Sequence, residues 1–517
     1  VGDSTVPTGE GGENIEDEAP SEEELQEQDA DQAAAAKGID DNGSSEAIAL
    51  DKAGLIDLND PEKLDKVDTY VEATVNAAGK FTEKKNNEDA VSDPNGAQRY
   101  RRNSNGELEK NSGSFLADLV SNLDDVVDVT VEAEELGIDK AAMFDSLLEN
   151  SENSGAVKEV VAVAAVVGIK DKDNLTSVFT SVDQADSVAK VAQAAKQVES
   201  EDAATLGAAF RSADQADKLV AVVEESNAQG DAGSKSKKLN SLFSVVKKVD
   251  AKKTARKEKM ESISAGAVTL SASIMNEIDG FATVAELNTY LDSKITESNY
   301  QQIKDYADLR IDDLSITNSF DQISNVVKVV EVFEDIKAAG GTEVSDDVFD
   351  GILTNAEQAE SLAEVVESGK KLGATKNLGA VLAKPERAAD FKKVTEKVST
   401  NDVDGAASLT LFENIEAVAD VVVVAEKQGK SNDNLIKNVA KNANLANEMK
   451  TVVENLDNFD AGTNVDDVFT NIVDVADVVA EAGTTAANQD FIKNIAKNAT
   501  KAKDVANVVK KAKKAGV

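Results

Sequence analysis

Val-Phe-Asp-Gly-Ile-Leu-Thr-Asn-Ala-Glu-Gln-Ala-Glu-Ser-Leu-Ala-Glu-Val-Val-Glu occupies residues 348–367, and its pattern decides the fold. Val348, Phe349, Ile352 and Leu353 form one apolar stripe, Thr354-Asn355 interrupts it, and Ala359, Leu362, Ala363 and Val366 resume it at i, i+3, i+4, i+7. That spacing predicts two amphipathic helices joined by a tight corner. Asn355 is the expected N-cap of the second helix, with Gln358 completing a capping box.

The cassette recurs. Taking the aromatic of each expected short helix as a marker gives Phe115, Phe144, Phe179, Phe210 and Phe243, then Phe320, Phe349, Phe412 and Phe469. Asp183-Gln184-Ala185-Asp186 returns as Asp214-Gln215-Ala216-Asp217, and the run from Asn434 to Ala443 returns from Asp490 to Ala499. A period of about 30 residues gives one two-helix unit per repeat. The expected fold is therefore all-α: an elongated α-solenoid of two-helix repeats with an extended acidic N-terminal arm. The cassette lacks the Trp/Tyr pattern of tetratricopeptide repeats and the Thr-Pro-Leu-His of ankyrin repeats.

Five segments follow along the chain. Residues 1–43 are the acidic arm; residues 1–31 alone hold twelve Asp or Glu, Glu16, Asp17, Glu22, Glu23 and Glu24 among them, and no Lys or Arg. Such a stretch cannot bury enough apolar surface to offset its ordering entropy. Residues 44–113 are a helical segment, opened by Asn59-Asp60-Pro61, followed by a polar linker carrying Arg99, Arg101 and Arg102. The linker arginines suggest a solvated loop or a processing site. Residues 114–250 and 319–517 are the two sets of repeats, and 251–318 is an irregular helical insert with Lys252, Lys253, Arg256, Lys257 and Lys259 crowded at its start. The insert is expected to be largely helical and to divide the array into two lobes, with a hinge or a partner-binding element as the alternative.

Composition narrows the chemistry. The chain has 517 residues, 41% apolar side chains, only 4% aromatic, and neither His nor Cys. Disulfides, thiolate-bound clusters, Cys/His zinc sites and Ser-His-Asp or Cys-His catalysis are thereby excluded. No motif supports the carboxylate or Ser-Lys chemistry that remains, so neither an enzyme nor a cofactor is expected. The net charge of −42 argues against a nucleic-acid surface and favours solubility in salt, basic partners, and divalent cations at the acidic surface. The longest apolar run, Val160 to Ile169, is too short to span a bilayer, which needs ~20 residues. A start at Val1 without a basic, apolar leader fits either a boundary of the segment in hand or a mature end after signal-peptide removal, and the latter places the protein outside the cell or at its surface.

Three local patterns invite a site. Met275–Glu286 puts Asp279, Gly280 and Glu286 at calcium-loop positions 5, 6 and 12, but Met275 supplies no first carboxylate, so a turn and a capped helix are expected; Asp402-Val-Asp-Gly405 lacks the closing Glu. The pairs Asn438/Asn442 and Asn494/Asn498 share one helical face and are expected to cap or bridge repeats. Sequons at Asn42, Asn174 and Asn498 carry little weight. The ends are more telling: residues 491–517 hold eight Lys, including Lys501, Lys503, Lys510, Lys511, Lys513 and Lys514, against one acid, Asp504. An acidic arm and a basic end are complementary surfaces for head-to-tail joining, which builds rings or filaments. The expectation is a structural, self-assembling homo-polymer: a filament, sheath or surface layer. The alternative is a solenoid scaffold that holds another protein on its concave face.

Overall fold

The computed structural model describes Leu50, Gly54, Ile56, Leu119 and residues 60–77, 100–102, 108–110, 121–198, 202–265, 270–456, 463–482 and 489–514. The acidic arm, with Glu16, Asp17, Glu22, Glu23 and Glu24, lies outside them, as do Phe115 and Arg99. The fold is all-helical apart from one short antiparallel hairpin, β1 (Tyr100–Arg102) with β2 (Leu108–Lys110). That hairpin replaces part of the linker expected there, and it puts Arg101 and Arg102 on a strand.

Two compact units divide the chain: Val1–Gln193 with Ala209–Ala216, and Ala194–Ala208 with Asp217–Val517. The first contains α1 (Leu123–Glu135), α2 (Lys140–Leu147), α3 (Ser154–Val166) and α4 (Lys172–Thr180). There α1 packs on α3 and α2 on α4, so long helices neighbour long and short neighbour short. Helices α5 (Ala185–Gln197) and α6 (Ala203–Phe210) straddle the division.

The second unit continues with α7 (Ala216–Asn227), α8 (Ala232–Ala265), α9 (Ala272–Asp279), α10 (Val284–Lys294) and α11 (Tyr300–Asp321). Next come α12 (Ile323–Val330), α13 (Val332–Ala338), α14 (Asp346–Thr354), α15 (Ala359–Lys371), α16 (Leu378–Leu382) and α17 (Ala388–Thr395). The last are α18 (Gly405–Glu413), α19 (Ile415–Lys427), α20 (Asp433–Lys441), α21 (Ala446–Glu454), α22 (Val465–Thr470), α23 (Ile472–Ala482), α24 (Gln489–Lys497) and α25 (Ala502–Lys514). Helices α12, α15, α17, α19, α21, α23 and α25 pack each on the next, and α16, α18 and α20 form a second row. One continuous apolar core runs under both rows from Val329 to Ala506, anchored by Phe391, Phe412 and Phe469.

The corner at 354–358 differs from the expected capping box. Asn355 does not accept from the following helix; its amide Nδ2 turns back and donates to the Gly351 carbonyl at 2.9 Å. Its backbone sits at φ −110°, ψ 37° rather than in the extended region an N-cap needs, so the side chain faces the helix it ends. The Gly351 carbonyl, which already accepts the Asn355 backbone N–H at 3.0 Å, thus gains a second donor, and one 3₁₀ turn, Ala356–Gln358, leads into α15. The same i→i−4 bond recurs from Asn414 to Thr410, Asn442 to Asn438, Asn471 to Asp467 and Asn498 to Asn494. The genuine capping box is at Thr283/Glu286.

A second set of helices ends differently. After α15, Gly373 takes φ +72°, its N–H bonds the Lys370 carbonyl, and the Ala374 N–H bonds the Gly369 carbonyl at 2.8 Å. This is the Schellman arrangement, for which Gly is favoured because a Cβ is strained at positive φ. It recurs at Gly137, Gly168, Gly340 and Gly429. Short helices then start on Asp139, Asp171, Ser345, Asp404, Asn432 or Asn464, each accepting from a backbone N–H.

Two aromatic markers are not on short helices. Phe243 lies inside the 34-residue α8 and Phe320 near the end of the 22-residue α11. Residues 244–253 carry neither Asn nor Gly at which a helix could stop, and Lys, Val and Ala keep it running. Helices α9, α10 and α11 close a small separate core of Leu270, Ile278, Leu287, Tyr290, Leu291, Ile303 and Ala307.

Gly369 shows how tightly α15 approaches α16 and α18. A Cβ there would meet Leu378 Cδ2 at 2.5 Å and Phe412 Cε1 at 2.9 Å, both on fully buried side chains. Gly369→Val is expected to destabilise by about 1–3 kcal/mol through overpacking. Gly379→Ala, on a helix with open space around the added methyl, should instead stabilise by about 0.5–1 kcal/mol. Urea unfolding of the two variants checks both signs.

Candidate assembly surfaces

The Lys-rich end is α25, whose Ala502 and Ala506 are buried on one face. Two of its cations are spent internally: Lys510 pairs with Asp477 at 2.6 Å and Lys513 with Glu481 at 3.1 Å, both on α23. Lys501, Lys503, Lys511 and Lys514 are exposed and make no ion pair among the described residues. Val508 lies with Lys511 on the outward side and is 65% exposed. The expected basic surface is thus four lysines around an apolar spot rather than six.

The pairing of α25 with α23 continues a pattern along the row from α12 to α25. Lys392 of α17 reaches Glu364 of α15 at 2.7 Å. Arg387, just before α17, and Lys393 reach forward to Asp420 (2.6 Å) and Glu426 (2.7 Å) of α19. Asp420 also accepts from Lys450 of α21 at 2.7 Å. At each of these junctions one helix brings the cation and its neighbour the carboxylate. The first unit does the same, with Lys158 of α3 held by Asp125 and Asp128 of α1 at 2.8 and 2.7 Å. Such half-exposed pairs add little stability singly, but they fix which helix may lie beside which.

The basic cluster of the insert is also consumed. On α8, Arg256 donates through Nη2 to Asp313 Oδ2 at 2.7 Å with its Nε 2.5 Å from Oδ1, and Lys259 lies 3.6 Å from Asp312. Lys248 bridges Asp346 (3.2 Å) and Asp350 (3.4 Å). Lys252 donates to Thr354 Oγ1 at 3.0 Å and lies 3.9 Å from Asp312; burial holds its pKa below the usual lysine value despite that neighbour. Lys253 sits over the Phe320 ring at 4.9 Å. Lys257 stays exposed. The cluster therefore joins α8 to α11 and α14.

Segment Met275–Glu286 is a helix end and a helix start. Gly280 is right-handed at φ −75° and closes α9, Tyr306 donates to Asp279, and Glu286 accepts from the Thr283 N–H at 3.2 Å. Asp402 accepts from Ser399 and pairs with Lys437 at 3.3 Å. Among the described residues no three acidic side chains converge as a metal site, and no helix is long and apolar enough to cross a membrane. The Asn pairs end helices, as described above. Asn174 of the second sequon donates to Asp171 and accepts from Arg211, and Asn42 is outside the described residues.

Among the clefts of the second unit, two bear on the row of helices. One, of about 400 Å³, lies between α12 and α15 and is lined by Lys328, Glu331, Glu360, Glu364 and Lys370, among others. Burial pushes the Glu331 carboxyl above the ordinary glutamate range, although Lys238, Lys237 and Lys370 oppose it. Nearby Asp335 goes the other way. Burial alone would raise it, but Lys237 and Lys370 donate to it and hold its pKa low. The other cleft, of about 630 Å³, lies between α20 and α22. Sequence patterning missed both clefts, since their walls come from repeats tens of residues apart.

Comparison with known proteins returns no match: no family model fits the chain, and neither a curated protein nor a solved structure is significantly similar to it.

Glu331 and Asp335 give opposite pH dependences. A raised folded pKa costs stability at neutral pH and returns it as pH falls through that raised value towards the ordinary ~4.3. Glu331→Gln should therefore raise the melting temperature at pH 7 and raise it less at pH 4.5. A depressed folded pKa stabilises above the ordinary ~3.9 and loses that contribution only as pH falls through the lower folded value. Asp335→Asn should lower the melting temperature at pH 7, with the deficit closing in strong acid. Thermal scans across pH test both signs.

Proposed function

We propose that the chain is a structural, self-assembling α-solenoid of two-helix repeats with a period near 30 residues. It would serve as a subunit of an extracellular filament, sheath or surface layer. The observation that carries this reading is the matching of cation to carboxylate between neighbouring helices of the row, from α15 to α21 and again from α23 to basic α25. The outward side of α25, with Lys503, Lys511, Lys514 and Val508, calls for an acidic partner to continue the sequence. Residues 1–31 of a second copy, twelve acids without a basic residue, have that character. Joining two different surfaces in this way propagates head to tail. An acidic exterior keeps such a polymer soluble in a salty medium outside the cell. Screening shortens the reach of the charges from about 10 Å at 0.1 M salt to ~3 Å at 1 M, so Val508 has to supply close packing as well.

A second reading, a scaffold for another protein, is favoured by the larger cleft between α20 and α22.

Light scattering and electron microscopy of the purified chain should show concentration-dependent assemblies. Removing residues 1–31, or combining Lys503→Glu, Lys511→Glu and Lys514→Glu, should reduce them at least tenfold while leaving the helical circular dichroism intact. A monomer at every salt and protein concentration would overturn the proposal.

A further inference from the structure

The row of short helices packs closely from α16 to α18 and from α18 to α20, but this packing is not repeated between α20 and α22. The larger cleft opens at that break. Its floor is apolar: Phe469 is 4% and Leu435 7% exposed. Its walls carry hydroxyls from Ser431 and Thr470 and the exposed amides of Asn434 and Asn438. Lys430, before α20, pairs with Asp466 of α22 at 2.6 Å and ties the two walls together. Asp433 beside it faces Lys397 at 3.6 Å. The charges of the lining therefore cancel, on a chain whose formal charge is −42.

Among the described residues, Asn434 makes no hydrogen bond through its side chain. The Asn438 amide only accepts, at 3.3 Å, from Asn442, so its donors remain open. The two stand one helical turn apart, which places their Cβ atoms about 6 Å from each other. An extended peptide presents the same backbone edge every second residue, about 6.6 Å along the strand. A primary amide has both donors and an acceptor, and can pair with the C=O and N–H of one backbone residue. Two amides at this spacing match two alternate residues of an extended chain, and the intervening side chain can rest on Phe469 and Leu435.

We propose that the cleft between α20 and α22 binds an extended, uncharged peptide segment, with Asn434 and Asn438 pairing to its backbone at alternate residues. This gives the scaffold reading its partner and does not depend on self-assembly. Recognition through the backbone makes binding tolerant of sequence and intolerant of lost N–H groups. Charged peptides are disfavoured because the only ions in the lining already hold each other.

The test uses the full chain and a fluorescein-labelled octapeptide of alternating Ala and Ser, read by fluorescence anisotropy. Saturable binding is expected. Asn434→Ala with Asn438→Ala should weaken it at least tenfold at an unchanged melting temperature, because both side chains are exposed. Asn494→Ala, at the matching position of the next repeat pair, should leave it unaltered. The same peptide N-methylated at alternate residues should bind at least tenfold more weakly. Any of three results overturns the proposal: no saturation by 5 mM peptide, equal binding of the N-methylated peptide, or displacement by maltose at the peptide's own concentration. Light scattering of the double Asn variant, expected to match the unaltered chain, separates failure here from failure of self-assembly.

Discussion

Ending a helix without stranding its carbonyls is the constraint on which this molecule rests. A chain that reverses every dozen residues has a helix end at every reversal, and the last-turn carbonyls need partners. Two devices tie down such ends. After α14, the Asn355 amide adds a second hydrogen bond to the Gly351 carbonyl, which already accepts the Asn355 backbone N–H. After α15, a glycine at positive φ lets the N–H groups of Gly373 and Ala374 reach back to carbonyls of the last turn. Because both devices are local, the corner can be copied, and the apolar faces it leaves can stack on those of its neighbours.

Stacking then depends on small residues. With Ala and Val lining most of the interface and Phe only at intervals, α15 comes close enough to α16 and α18 that Gly369 has no room for a methyl group. Interfaces this alike, repeated along a row, do little to distinguish one neighbour from another. Charge adds that distinction. Glu364 with Lys392, Asp420 with both Arg387 and Lys450, and Asp477 with Lys510 each commit one helix to one partner. Much of the basic charge is used inside the units in this way, so the acidic excess of the whole chain conceals a balanced interior.

The helical class, the short-long cassette and its apolar anchors were legible because period-3.6 spacing and repeated Phe positions are one-dimensional signals; Phe349, Phe412 and Phe469 are all buried. The corner was misjudged because an Asn can serve the helix before it or the helix after it, and only backbone dihedrals separate the two. The glycines at 137, 168, 340, 373 and 429 were a legible signal of helix ends that the spacing of aromatics overshadowed. The basic run on α8 suggested a free surface, yet its partners Asp312, Asp313 and Asp346 lie some 55 to 100 residues away and announce nothing locally.

The sequence by itself determined the helices, their amphipathic faces and the chemistry that absent His and Cys forbid. These follow from local spacing and from residue type, which do not change when the chain folds. Tertiary structure alone decided which charges remain available: Lys510 and Lys513 are taken up by α23 while Lys503, Lys511 and Lys514 are not. It also decided that a cleft opens between α20 and α22, where the packing seen from α16 to α20 is not repeated. Both outcomes depend on distances between residues far apart in the chain, and those distances exist only once the helices are packed.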